Sequence, residues 1–225
     1  MKNSCYAIVV SVLAASLVCS YTPAHAEVLN IMITDSSDNP VSNAVVSAYS
    51  HNQQSRPATT ANKTVIVDQV DKTFVSQVTP VQVGTAISFP NHDQIRHHVY
   101  SFSSAKTFEI PLYKGVPTKP IVFKQEGIVT LGCNIHDWMF AYIVVIASPY
   151  FATTDQQGRT SLTLPAGDYE LRFWHQDADE KTQNSQQSIT INPTEETSIP
   201  IELSLKPSSF WRRSPASIIN RGRYR

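Results

Sequence analysis

The sequence predicts an all-β protein, and three observations carry that expectation. From Glu27 to Leu205 no window of eleven residues holds an apolar period of 3.6. Short runs rich in β-branched and aromatic residues recur instead, and turn-forming residues separate them. In chain order the expected strands are VLNIMI (28–33), NAVVSAY (43–49), TVIV (64–67), VGTAISF (83–89), HHVYSF (97–102), PIVF (120–123), IVTLGC (128–133), AYIVVI (141–146), DYELRFW (168–174) and SIPIELSL (198–205). The expected turns are Asp38-Asn39-Pro40, Asn91-His92-Asp93, Gly115, Glu126-Gly127, Gln157-Gly158 and Ala166-Gly167, at intervals that suit β-sandwiches. Residues 51–63, HNQQSRPATTANK, are polar and aperiodic and read as a linker or long loop. Residues 206–225 hold six basic residues, no acidic one and no strand pattern, which reads as a flexible basic tail.

Composition narrows the function classes. With 18 basic and 18 acidic residues in 225, the chain lacks the overall positive charge that phosphate binding leaves, so nucleic acid is not an expected partner. At 41% hydrophobic and 16% charged residues it can form one or two cores and is not a disordered chain. Residues 1–26 carry Lys2, an apolar run from Ala7 to Cys19, and Ala24-x-Ala26, the pattern of a cleaved secretory signal. That run is shorter than the ~20 residues a span requires and no later stretch matches it, so no membrane span is expected. Val18 stands where a lipoprotein signal needs a small residue, which favours cleavage after Ala26. Cys5 and Cys19 then leave with the signal, and Cys133 remains as a lone thiol in an oxidising compartment.

Cys133 opens C-N-I-H-D-W-M, placing Cys133, His136 and Met139 as C-x2-H-x2-M between two expected strands. Thiolate, imidazole and thioether together favour copper, whereas zinc usually takes more cysteine or histidine. A second imidazole is available in N-H-D-Q-I-R-H-H-V-Y-S-F at 91–102. Taken alone, Cys133 also fits a buried structural thiol or a disulfide between chains. A cysteine nucleophile served by His136 would lack a third orienting group. His51, His92 and His175 are expected at the surface or in turns.

N-x5-H-x-V followed by G-x-V-x-x-x-C-x2-H-x2-M resembles the cupredoxins, small blue copper electron carriers, and the short C-x2-H-x2-M loop is most similar to that of amicyanin. The wider string HHVYSFS to LGCNIHDWM is similar to periplasmic proteins labelled as methylamine-utilisation proteins; a role in methylamine oxidation does not follow from any residue. The resemblance implies a Greek-key cupredoxin β-sandwich over residues 64–147. It also implies one type 1 copper held by His97, Cys133, His136 and Met139, with His136 as electron port and Ile135, Trp138 and Phe140 as a docking patch. Six residues separate Asn91 from His97, as in the family. Strand alternation speaks for His98 instead, because His98, Tyr100 and Phe102 form the bulkier stripe.

Residues 28–48 resemble the opening of carboxypeptidase-regulatory-like, prealbumin-type Ig-like sandwiches. The expected continuation, T-D-x-x-G-x-x-x-L-x-L-P-A-G-x-Y-x-L, stands at Thr154 to Leu171. The expected organisation is therefore a copper domain inserted into a small sandwich made of residues 27–50 and 148–205, the alternative being two tandem units. The expected function is single-electron transfer between transient protein partners in the periplasm, by a monomer that is not an enzyme. Copper storage or delivery, and a structural module, are the alternatives. Residues 27–205 hold 11 basic and 18 acidic residues, so the neutral total conceals an acidic body and a basic tail that can dock an acidic partner or anionic lipid.

Overall fold

The computed structural model describes residues 26–51, 64–117, 119–183, 185–193 and 197–206; the signal, most of the linker and the tail from residue 207 lie outside the described residues. The chain opens with β1 (Ala26–Asp35) and β2 (Val45–Ser50). Ten strands follow: β3 (Val65–Ile66), β4 (Gln69–Val70), β5 (Thr73–Phe74), β6 (Val78–Gln82), β7 (Ala86–Ser88), β8 (His97–Ser103), β9 (Lys106–Tyr113), β10 (Ile121–Val122), β11 (Gly127–Gly132) and β12 (Phe140–Ile146). The chain then forms β13 (Tyr150–Thr153), β14 (Arg159–Pro165), β15 (Gly167–Trp174), one helical turn α1 (Glu180–Gln183), β16 (Gln186–Ile191) and β17 (Thr197–Leu203). The all-β expectation holds.

β1 alternates in the way a half-buried strand must: Leu29, Ile31 and Ile33 face inward while Val28 and Met32 are exposed. It lies antiparallel to β14, with Leu29 opposite Leu162, and parallel to β17, with Ile33 opposite Ile201. A four-stranded sheet in the order β13-β2-β15-β16 covers this three-stranded one. Leu29, Ile33, Val46, Leu164, Tyr169 and Leu171 fill the space between the sheets, so residues from 29–48 and from 162–203 share one core. The Tyr169 hydroxyl donates to the Pro165 carbonyl at 2.9 Å, giving the buried ring its polar partner.

A second core is built from residues 67–145. A five-stranded sheet in the order β6-β12-β11-β8-β9 faces a smaller sheet β10-β7-β3, with the β4-β5 hairpin beside them. Ile87, Phe89, Val99, Phe123, Leu131 and Ile143 are among the buried side chains. β6, which carries Pro80, pairs only with β12 and so lies at the sheet edge, where a residue without N–H is tolerated.

β12 has no polar face. Ala141, Ile143 and Val145 enter the second core, while Val144 and Ile146 turn the other way and meet Val45 of β2 and Val78 of β6. A third apolar layer, with Tyr49, Tyr142, Phe151 and Trp174 packed around it, therefore joins the two sandwiches. Strands buried on both faces read as continuous apolar runs, which explains why AYIVVI shows no alternation. The Tyr49 hydroxyl donates to the Glu126 carboxylate across the same junction, and the Arg172 guanidinium lies 4.0 Å from the centre of the Tyr49 ring.

Candidate metal centre

The site sits at one end of the five-stranded sheet. Cys133 follows β11 directly, and the parity of Val129, Leu131 and Cys133 sends all three side chains into the second core. The next residues form a tight turn, closed by the Met139 N–H donating to the His136 carbonyl at 2.9 Å. This turn returns the chain to β12 and brings His136 back over Cys133. The Cys133 sulfur lies 3.9 Å from Nδ1 of His136 and 3.9 Å from Nδ1 of His97. The three donor atoms all lie within 4.8 Å of one another. Met139, 1% exposed, is buried in the same core as Cys133.

Of the two candidate histidines, the structure brings His97 to the cysteine. His97, Val99 and Ser101 are fully buried, so the smaller stripe of β8 faces the core. The bulkier stripe lies on the other side. His98 places Nε2 2.9 Å from Glu109 Oε1, its ring packs on Tyr100, Tyr100 packs on Phe102, and Phe102 is 81% exposed. The expectation that bulk marks the inner face fails here for a local reason. Tyr100 lies over Gly132, where an added Cβ would come within 2.8 Å of the ring, so the missing side chain next to Cys133 makes room for an aromatic on the outer surface. A register shift against β9 between His97 and Val99 accompanies this arrangement.

His97 is braced from behind. Its Nε2 is 2.6 Å from Asp93 Oδ2, and Asp93 accepts the Asp71 and Lys72 N–H groups at 2.7 and 2.8 Å. Burial would raise the Asp93 pKa, but the His97, Lys72 and Asp71 hydrogen bonds outweigh it and hold the carboxyl below its ordinary value. Asn91 fastens the loop. Its side-chain amide donates to the Ile95 and Tyr113 carbonyls, its Oδ1 accepts the Asp93 N–H, and its backbone exchanges two hydrogen bonds with Gly115.

His136 is half-buried, with its ring 5.0 Å from that of His97 and 5.2 Å from that of Trp138. Burial, more than any neighbouring charge, lowers its pKa. Ile135 beside it is 48% exposed, and Trp138 and Phe140 are half-buried. His92 is exposed and paired with Asp68, and His175, expected at the surface or in a turn, opens the turn after β15, its carbonyl accepting the Ala178 N–H at 3.0 Å, with its side chain buried. Burial lowers the pKa of His175.

The donor set suits a transition metal. A metal bonds histidine nitrogen at about 2.0 Å and cysteine sulfur at about 2.3 Å, so one ion can reach atoms separated by less than about 4.3 Å. Both nitrogen–sulfur separations meet that condition. Two imidazoles and one thiolate converge, and the thioether of Met139 is buried in the same core as the thiolate, a set of soft and borderline donors that favours copper.

Asp93 and the β4-β5 hairpin are the supporting parts that motif spacing leaves out. Asp93 reads as a turn residue, and only its position four before His97 marks it in the sequence.

No family model and no curated protein matches the chain. Among solved structures, an oxidized amicyanin variant is 18% identical, covering 44% of this chain and 99% of its own at a TM-score of 0.34. A reduced amicyanin variant is 19% identical over the same shares at 0.35. A purple cupredoxin from Nitrosopumilus maritimus is 20% identical, covering 38% of this chain and 100% of its own at 0.33.

Proposed function

We propose that the chain is a periplasmic type 1 copper protein that carries single electrons between protein partners and is not an enzyme. The observation that carries this reading is the convergence of His97 Nδ1, His136 Nδ1 and the Cys133 sulfur within 4.8 Å, with Met139 buried in the same core. Copper bound there would supply one-electron chemistry between Cu(I) and Cu(II). The protein groups do the rest. Cys133, 4% exposed among apolar side chains, keeps its sulfur away from water and from oxidation. His97, fully buried and held by Asp93, is a fixed donor that little reorganisation can disturb. His136 is half-buried and offers the short way out, beside the exposed Ile135 and the ring of Trp138. Contact with a partner through such a patch would be small and transient, burying less than about 1,200 Å².

The reading includes secretion through a signal cleaved after Ala26. No helix among the described residues is long and apolar enough to cross a membrane. It also includes a copper-binding sandwich at 64–147 inserted into an Ig-like sandwich of 27–50 and 148–205; the single core shared by residues 29–48 and 162–203 supports that division. In this reading the protein is a monomer, and its basic tail docks an acidic surface.

Voltammetry of the copper-loaded mature protein tests carriage directly. A reversible one-electron wave, with copper retained through repeated cycles, is the expected outcome. Release of copper on reduction to a Cu(I) chelator would support delivery in its place.

A further inference from the structure

We infer that Asp93 is a positioning residue that presets His97 for the metal, and that the β4-β5 hairpin exists in its present conformation to hold Asp93. The metal part of this inference rests on the copper reading above; the positioning part stands on the metal-free chain.

The hydrogen bonds form a relay with one direction. His97 is fully buried and Asp93 has 13% of its side chain exposed, and 2.6 Å separates Nε2 from the carboxylate oxygen. An anionic carboxylate only accepts, so the proton of the imidazole belongs on Nε2 and the lone pair on Nδ1. Nδ1 is the nitrogen that faces the Cys133 sulfur. A carboxylate behind a ligating histidine fixes the tautomer and ring plane and makes the ligand more basic.

The carboxylate is itself fixed. Asp71 and Lys72 join β4 to β5 as a two-residue turn, and both have positive φ, 53° and 59°. That is the primed hairpin conformation, which side chains other than glycine and asparagine adopt at a cost. Here it aims two consecutive backbone N–H groups at one carboxylate, Asp71 at Oδ1 and Lys72 at Oδ2. Asn91 Oδ1 takes the Asp93 N–H and completes the clamp. The side chain of Asp93 is thus held from the hairpin, from its own loop and by the histidine, and the ring of His97 is oriented before any metal arrives. Placing a negative charge behind the ligand also stabilises Cu(II) more than Cu(I).

Two variants of the mature protein test this, Asp93→Ala and Asp93→Asn, the second keeping the volume and an acceptor for His97. Nitrogen-proton correlation spectra of the metal-free protein report the tautomer. Wild type is expected to show His97 with hydrogen on Nε2 alone, and D93A a mixture of both tautomers. Chelator competition is expected to show Cu(II) bound about 10- to 100-fold more weakly by D93A, with D93N between. The reduction potential should rise, by about 59 mV for each tenfold by which Cu(II) is weakened more than Cu(I). An unchanged tautomer, or D93A binding Cu(II) as tightly as wild type at an unchanged potential, overturns the inference. A wild type that binds no copper yet shows the Nε2 tautomer, lost in D93A, sinks the copper reading and leaves the positioning role standing.

Discussion

The ring of His97 is buried with Nδ1 3.9 Å from the Cys133 sulfur, while His98 turns Nε2 to Glu109 on the outer face of β8. Adjacent strand residues point to opposite faces, so only one of the pair can serve the site. His97→Asn is expected to abolish the visible absorption of the copper-loaded protein, and His98→Asn to leave it in place; the reverse pattern in optical titrations would contradict the assignment. At this scale much was legible. The spacing singled out His97, Cys133 and His136, whose donor atoms the fold brings within 4.8 Å of one another, and Met139, which is buried in the same core as Cys133. Bulk in the β8 stripe misled, because Gly132 frees space for Tyr100 outside the sheet, a pairing between strands about thirty residues apart. Asp93 escaped notice because its role depends on N–H groups of Asp71 and Lys72, which precede it by some twenty residues.

Elements declared themselves when apolar side chains formed them. The runs over 28–33, 141–146 and 168–174 became β1, β12 and β15, each supplying core residues. β9 and β16 are strands of another kind. Both lie at sheet edges, and most of their side chains are exposed or half-buried, as in Gln186, Gln187 and Ser188. Backbone pairing with β8 and β15 holds them in place, and only part of each strand reaches a core: Phe108 and Ile110 of β9 pack on the second, Ile189 and Ile191 of β16 on the first. The stretch from Thr154 to Leu171 was readable for the opposite reason, since Leu162, Leu164, Tyr169 and Leu171 all enter one core. Gly158 within it is required by geometry. Its φ is +72°, its carbonyl accepts the Ile33 N–H at 2.7 Å, and an added Cβ would lie 2.3 Å from the Ile33 carbonyl oxygen. Gly158→Ala should destabilise the protein by about 1–3 kcal/mol from the backbone conformation, with the clash in addition. Chemical denaturation of the metal-free protein measures it, and an unchanged midpoint would contradict the account.

At the scale of the molecule, two sandwiches meet through Val45, Val78, Val144 and Ile146. This layer makes both faces of β12 buried, so the strand that carries the chain away from Met139 is gripped by two cores. Ile146 is 3% exposed, and Ile146→Ala should cost about 2–5 kcal/mol and lower the melting temperature of the metal-free protein. Unchanged melting would mean that the layer adds little to folding. Long-range pairing of this kind could be suspected from the sequence only where each half carried its own pattern; the junction itself left no signal beyond the unbroken apolar run of AYIVVI.

The visible spectrum of the mature protein loaded with Cu(II) tests the central claim most directly. The account predicts an intense thiolate-to-copper absorption that disappears in Cys133→Ser. A colourless copper complex, or an absorption that survives the loss of Cys133, would contradict it.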